Sequence, residues 1–112
     1  MPDCMRNILN QYAKEVLQVY GKSLQSVILY GSYARGDFTE DSDVDIMILV
    51  DLPEEGIRDH REQLSAVTYD FNMEHDVQIM PIVKEKEQFQ YWLPVYPFYQ
   101  NVKKEGVNLY AT

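Results

Sequence analysis

The sequence predicts an α/β fold, a single domain in which helices flank one small mixed sheet, and three observations carry that expectation. Helix-spaced and strand-like segments alternate in the order α, β, short α, β, α, β, α, β. At 112 residues there is enough chain for one core but not for two, so residues 1–112 read as a single unit. An apolar share of 46% beside 25% charged residues is the balance of a globular chain, not a disordered one.

Each element has its own signal. Met5, Ile8, Leu9, Tyr12, Val16, Leu17 and Tyr20 recur at helical spacing, and Gly21 follows where a helix would end. Ser26–Tyr30 is β-rich and stops at Gly31. A short polar link leads to Val44–Val50, an apolar strand ending before Pro53. Helical spacing returns from about Ile57 to Phe71, and Asp76–Val83 reads as a third strand. Pro81 has no N–H to donate, so that strand belongs at an edge or Pro81 near its end. From Lys84 to about Glu105 the pattern is helical but interrupted by Pro94 and Pro97, and Val107–Tyr110 forms a last strand. The dense aromatics Phe89, Tyr91, Trp92, Tyr96, Phe98 and Tyr99 are expected mostly in or over the core, with a partner-binding patch as the sharper alternative.

Composition excludes several classes of function. No apolar run approaches the roughly 20 residues a membrane span needs. The segment Met1–Arg6 lacks the features of a secretion signal, and Cys4 is the only cysteine, so a cytoplasmic protein without disulfides is expected. A net charge of −8 argues against direct nucleic-acid binding, which needs Lys and Arg to displace counterions.

The acidic charge is concentrated: Asp37, Glu40, Asp41, Asp43 and Asp45 lie close together after Gly31-Ser32. Asp43 and Asp45 are two apart at the head of a strand, which puts both carboxylates on one face. Such a pair repels itself unless a cation lies between, and hard oxygen ligands suit Mg²⁺ or Mn²⁺. Gly31-Ser32, at a strand-to-helix turn, supplies a close backbone approach and a hydroxyl for phosphate oxygens. Metal on one side and phosphate on the other suit phosphoryl or nucleotidyl transfer, with two metals possible. Other motifs fail. A Walker A loop would need Lys-Ser/Thr where Asp37-Phe38 stand, and an EF-hand loop would need Gly where Ile46 stands and Glu where Leu52 stands.

Gly31-Ser32-x10-Asp43-x-Asp45 resembles the signature of the polymerase-β-like nucleotidyltransferase superfamily. The surrounding Gly-Ser-Tyr-Ala-Arg-Gly, Ser42-Asp43, Pro97-Phe98-Tyr99 and Glu105–Tyr110 resemble its minimal (MNT) branch across nearly the whole chain. That resemblance implies the polymerase-β-like fold, ATP as substrate, two Mg²⁺ ions held by Asp43 and Asp45, and Asp76 as a further ligand or general base on the acceptor side. It implies AMP transfer to a partner, with stand-alone MNT chains acting as antitoxins that adenylylate a tyrosine of a HEPN-type RNase toxin. A two-chain small-molecule nucleotidyltransferase, or an antitoxin acting by binding alone, are the alternatives. The short chain leaves no room for an acceptor-binding domain, so the acceptor is expected from a partner.

Weaker expectations attach to neighbouring residues. Arg35 can reach a phosphate or pair with the nearby acids. Tyr33 can face substrate or solvent, and Ser42 is expected to serve the turn. His60 and His75 are expected at the surface, outside any catalytic triad. Lys103 and Lys104 suit the end of the last helix.

Overall fold

The computed structural model describes residues 2–112. Helix α1 spans Asp3–Tyr20 and ends at Gly21, whose N–H closes onto the Leu17 carbonyl; one turn of 3₁₀ helix, Gly21–Ser23, leads into β1, Leu24–Tyr30. A single helical turn, α2, covers Ser32–Arg35, and β2 follows at Val44–Val50. Then come α3 at Glu54–His75, β3 at Ile79–Glu85, α4 at Lys86–Trp92, α5 at Pro97–Glu105 and β4 at Val107–Ala111. Among the described residues, no helix is long and apolar enough to cross a membrane.

The four strands form one mixed sheet in the order β3-β2-β1-β4, with β1 antiparallel to β2 and β4 and β2 parallel to β3. A strand covered on both faces should be apolar at nearly every position. β2 fits that rule: Val44 and Ile46–Val50 are all buried. Its even-numbered residues Val44, Ile46, Ile48 and Val50 pack with Leu9, Tyr12 and Val16 of α1 and Leu64 and Phe71 of α3. Met47 and Leu49 point the other way, toward Phe89 of α4 and Val102 of α5. On the first side, the Tyr12 hydroxyl and the Thr68 hydroxyl share a buried hydrogen bond of 2.7 Å, tying α1 to α3. Burial pushes the Tyr12 phenol up to about 12.

Several sequence expectations shift. α3 is longer than Ile57–Phe71 at both ends, and β3 runs on to Glu85 so that α4 starts only at Lys86, while the interruption expected at Pro94 and Pro97 is present as the turn over residues 93–96 between α4 and α5. The third strand begins at Ile79, not at Asp76. Asp76 instead terminates α3 in the left-handed conformation, φ 53° and ψ 49°, which Asp tolerates better than most residues. Asn72 fixes this exit. Its backbone carbonyl accepts the N–H groups of Asp76 and Val77, while its side-chain Oδ1 accepts from the Ile79 N–H at 2.9 Å and its Nδ2 donates to the Ile79 carbonyl at 3.2 Å. Pro81 does lie on an edge strand, as its missing donor requires.

The histidines are half-buried, not surface residues: His60 lies against Tyr20 with its Nδ1 bonded at 2.8 Å to the Gly56 carbonyl, and His75 packs on Phe71. The aromatic cluster also departs from expectation. Phe89 is buried, but Tyr91, Trp92, Val95, Tyr96 and Phe98 remain exposed, Tyr91 at 73%. Their rings form a connected series, with Trp92 stacked on Tyr96 and Tyr96 edge-on to Tyr99.

Candidate active site

β1 delivers Tyr30 and Gly31 to the end of the sheet directly beside the start of β2, where Tyr30 is the register partner of Asp45. Gly31 adopts φ 78°, in the region only glycine enters without strain, and this turns the chain from β1 into α2. A Cβ at this position would collide with the Asp45 carboxylate oxygen Oδ2. Glycine here is therefore required first by Asp45, which needs the space, and not only by a phosphate approaching the backbone.

A cavity of about 370 Å³ opens at this end of the sheet. Gly31, Ser32, Arg35 and Asp45 line one part of it, and Tyr30 with Phe98, Asn101, Val102 and Glu105 of α5 line the rest. Burial raises the Asp45 carboxyl above its ordinary range; the charge of Asp43 raises it further, and Arg35 partly opposes the shift. Asp43 itself is exposed. Two neighbouring carboxylates, one of them partly desolvated, are a donor set that fits a divalent cation, because an added positive charge removes their repulsion.

Arg35 takes up the salt-bridge alternative. Its Nε donates to Asp37 Oδ2 and its Nη1 to Glu105 Oε2, both at 3.2 Å. These bonds leave guanidinium donors free while holding the group at the cavity wall. Ser42 serves the turn, its Oγ accepting from the Thr39 N–H at 2.8 Å. Tyr33 stacks on Phe38 with ring centroids 4.4 Å apart and packs against the core, so it is not simply solvent-exposed, and it borders the cavity beside Asp76.

Asp76 does not line this cavity. It is exposed at the end of α3 and borders another of about 190 Å³ with Tyr33, Glu40, Ser42 and Val44. Among the described residues, no three His, Cys, Asp or Glu side chains converge on one point. The structure thus brings Gly31, Ser32, Arg35 and Asp45 together with Asp43 adjacent, and leaves Asp76 to one side.

Sequence reasoning missed the α5 contribution. Phe98, Asn101, Val102 and Glu105 are spaced by three and four residues, which puts them on one helical face. That spacing is legible, but what the face meets is not, since Glu105 reaches Arg35 across 70 residues of sequence.

Comparison with known proteins agrees with this geometry. The family model described as a nucleotidyltransferase domain matches residues 9–105. Two proteins of Methanocaldococcus jannaschii, both provisionally named protein adenylyltransferases, are similar in sequence. One is 34% identical over 79 residues, covering 70% of this chain and 78% of its own length. The other is 32% identical over 102 residues, covering 91% and 94%. The fold is similar to that of a provisionally named nucleotidyltransferase from Sulfolobus solfataricus, with a TM-score of 0.62, 22% identity, and 93% and 78% of the two chains covered. It is also similar to a chain in a Shewanella oneidensis complex of tri-AMPylated HEPN toxin with MNT antitoxin, with a TM-score of 0.52, 18% identity, and 96% and 73% covered. With nearly its whole length matched by the family model, and the Gly-Ser turn sharing one cavity with Asp45, the chain belongs to the nucleotidyltransferase domain family and is an enzyme of that class.

Proposed function

We propose that this protein transfers AMP from ATP, with Mg²⁺, to a hydroxyl on a partner protein, that the acceptor is a tyrosine of a HEPN-type toxin, and that the modification silences the toxin. The observation carrying this reading is the single cavity in which Asp45, with Asp43 beside it, faces Gly31 and Ser32. The names of the similar proteins, protein adenylyltransferase and MNT antitoxin with an AMPylated toxin, support the choice of AMP and of a protein acceptor.

In this reading Asp43 and Asp45 hold two Mg²⁺ ions, which when bound supply charge neutralisation of the triphosphate and a lowered acceptor pKa. The Ser32 hydroxyl donates to a phosphate oxygen, and Arg35 offers its remaining donors to another. The acceptor oxygen attacks the α-phosphorus, a bond forms there, and the bond from α-phosphorus to the bridging oxygen breaks to release pyrophosphate. A tyrosine hydroxyl has a pKa near 10, so its proton must be accepted as attack proceeds. We assign that acceptor-side role to Asp76, at the neighbouring cavity near the head of β2. The exposed rings of Tyr91, Trp92 and Tyr96, on the face of the sheet that bears the site, provide a surface for the partner.

The test is the intact mass of a coexpressed HEPN-type partner. An increase of one or more AMP units, absent with Asp43→Asn, is the expected result. A partner inhibited without any mass change would overturn the catalytic reading in favour of binding alone, and label from ATP appearing only in a small molecule would overturn the protein acceptor. Asp76→Asn separates its step from the others: ATP binding should persist while transfer falls.

A further inference from the structure

We infer that the cavity-facing side of α5 is an adenine subsite, in which the Phe98 ring stacks on the base and the Asn101 carboxamide reads its edge. The inference rests on the nucleotidyl-transfer reading above and deepens it.

The two parts of the cavity wall differ in chemistry. Gly31, Ser32, Arg35 and Asp45 provide what phosphate and metal require. α5 adds to the same wall an aromatic ring, for which phosphate has no use, and a carboxamide, whose paired donor and acceptor suit a base edge better than an all-acceptor phosphate. A nucleoside triphosphate has a second end that does need such groups.

The helix is held firmly enough to act as a wall. Val102, 1% exposed, anchors its middle in the small core under α4 and α5, and Glu105 pins its end to Arg35 at 3.2 Å. Phe98 meets Tyr30 edge-to-face, ring centroids 5.6 Å apart, so its position is fixed while 45% of the residue stays exposed. An aromatic ring held in place by its neighbours Tyr30 and Tyr99 yet nearly half exposed is a stacking platform for a flat base. Asn101 is exposed, one helical turn on from Phe98, and its side chain makes no hydrogen bond within the protein among the described residues. A carboxamide has a donor beside an acceptor, which matches adenine N7 and N6–H₂ in pairs; guanine offers two acceptors, O6 and N7, at the same edge. Pyrimidines give the ring less area to stack on.

Calorimetric titration of the full chain with Mg²⁺ and four probes, ATP, GTP, 7-deaza-ATP and inorganic tripolyphosphate, tests this. Wild-type protein should bind ATP about tenfold or more tighter than tripolyphosphate and several-fold tighter than GTP or 7-deaza-ATP. Phe98→Ala should lose about tenfold for ATP and nothing for tripolyphosphate. Asn101→Ala should bind ATP and 7-deaza-ATP alike. Phe98→Leu, which keeps the apolar bulk without the ring, should resemble Phe98→Ala in binding while its melting temperature stays near wild type. If Phe98→Ala weakens tripolyphosphate as much as ATP, or wild type binds the two equally, the subsite is overturned. Equal wild-type affinity for ATP and 7-deaza-ATP overturns the role of Asn101. Failure of the wild type to bind Mg²⁺-ATP at all overturns this inference and the transferase reading together, whereas tight, base-selective binding with no protein ever labelled removes only the protein acceptor.

Discussion

The two faces of the sheet are built differently. Against one lie α1 and α3, long helices of 18 and 22 residues that seal Val44, Ile46, Ile48, Val27 and Leu29 from water. Against the other lie α4 and α5, of 7 and 9 residues, which contribute only Phe89 and Val102 to a smaller buried core with Ile28, Met47 and Leu49 and leave a series of rings outside. Burial of apolar area is the main source of stability, so the first face carries most of the fold. The cavity with Asp45, Ser32 and Arg35 opens toward the second. Stability and chemistry are thus divided between the two sides of a sheet only one residue layer thick, and β2 contributes alternate residues to each.

The largest effect that would test this division comes from the site. Asp45→Asn should lower nucleotidyl transfer by at least about a hundredfold to a thousandfold, read with labelled ATP. The same change should stabilise the metal-free protein. Because the folded-state pKa of Asp45 lies above its unfolded value, its ionisation costs stability as pH rises through the carboxylate range. Melting in chelator should therefore show the gain at neutral pH and lose it in acid, with Asp43→Asn showing a smaller version. A destabilised Asp45→Asn would mean that the carboxylate serves packing.

Next in size is a contrast between the faces themselves. Ile48→Ala, on the α1 and α3 side, should cost about 2–5 kcal/mol in denaturant unfolding, whereas Trp92→Ala should change stability by less than about 0.5 kcal/mol. Similar losses for both would erase the distinction. Gly31→Ala should cost about 1–3 kcal/mol from the left-handed backbone and the collision with Asp45, and should reduce activity as well. Smallest is Tyr12→Phe, which removes the bond to Thr68 and should cost about 1 kcal/mol without touching transfer.

What the sequence revealed divides along similar lines. Gly31, Ser32, Asp43 and Asp45 were legible because their relation is local: one strand end, one turn, one strand start. The central strand was legible because a doubly covered strand has an unbroken apolar run. Asp76 reads as a strand residue in the sequence but ends α3, because its N–H and that of Val77 still close onto the Asn72 carbonyl, and no pattern of hydrophobicity records such bonds. Phe98, Asn101 and Glu105 were invisible as cavity residues for a different reason: their helix meets the Gly31 turn only through the tertiary fold. The exposure of Tyr91 and Trp92 was equally hidden, since an aromatic residue looks the same in a sequence whether it is covered or not.

The exit of α3 has one more effect, on how other molecules can join this one. The Gln78 carbonyl accepts from Val44, so backbone groups of neighbouring parity in β3 face away from the sheet. At that outer rim, the Asn72 side chain occupies both polar groups of Ile79, and Pro81 has no N–H to offer. A foreign strand seeking to extend the sheet alongside β3 would find the first position closed and the second without a donor. Strand addition, a common route both to peptide capture and to aggregation, is opposed along the first half of β3. A partner docking there meets side chains first, and the exposed Met80 and Ile82 belong to the same sheet face as the open rings of α4 and α5.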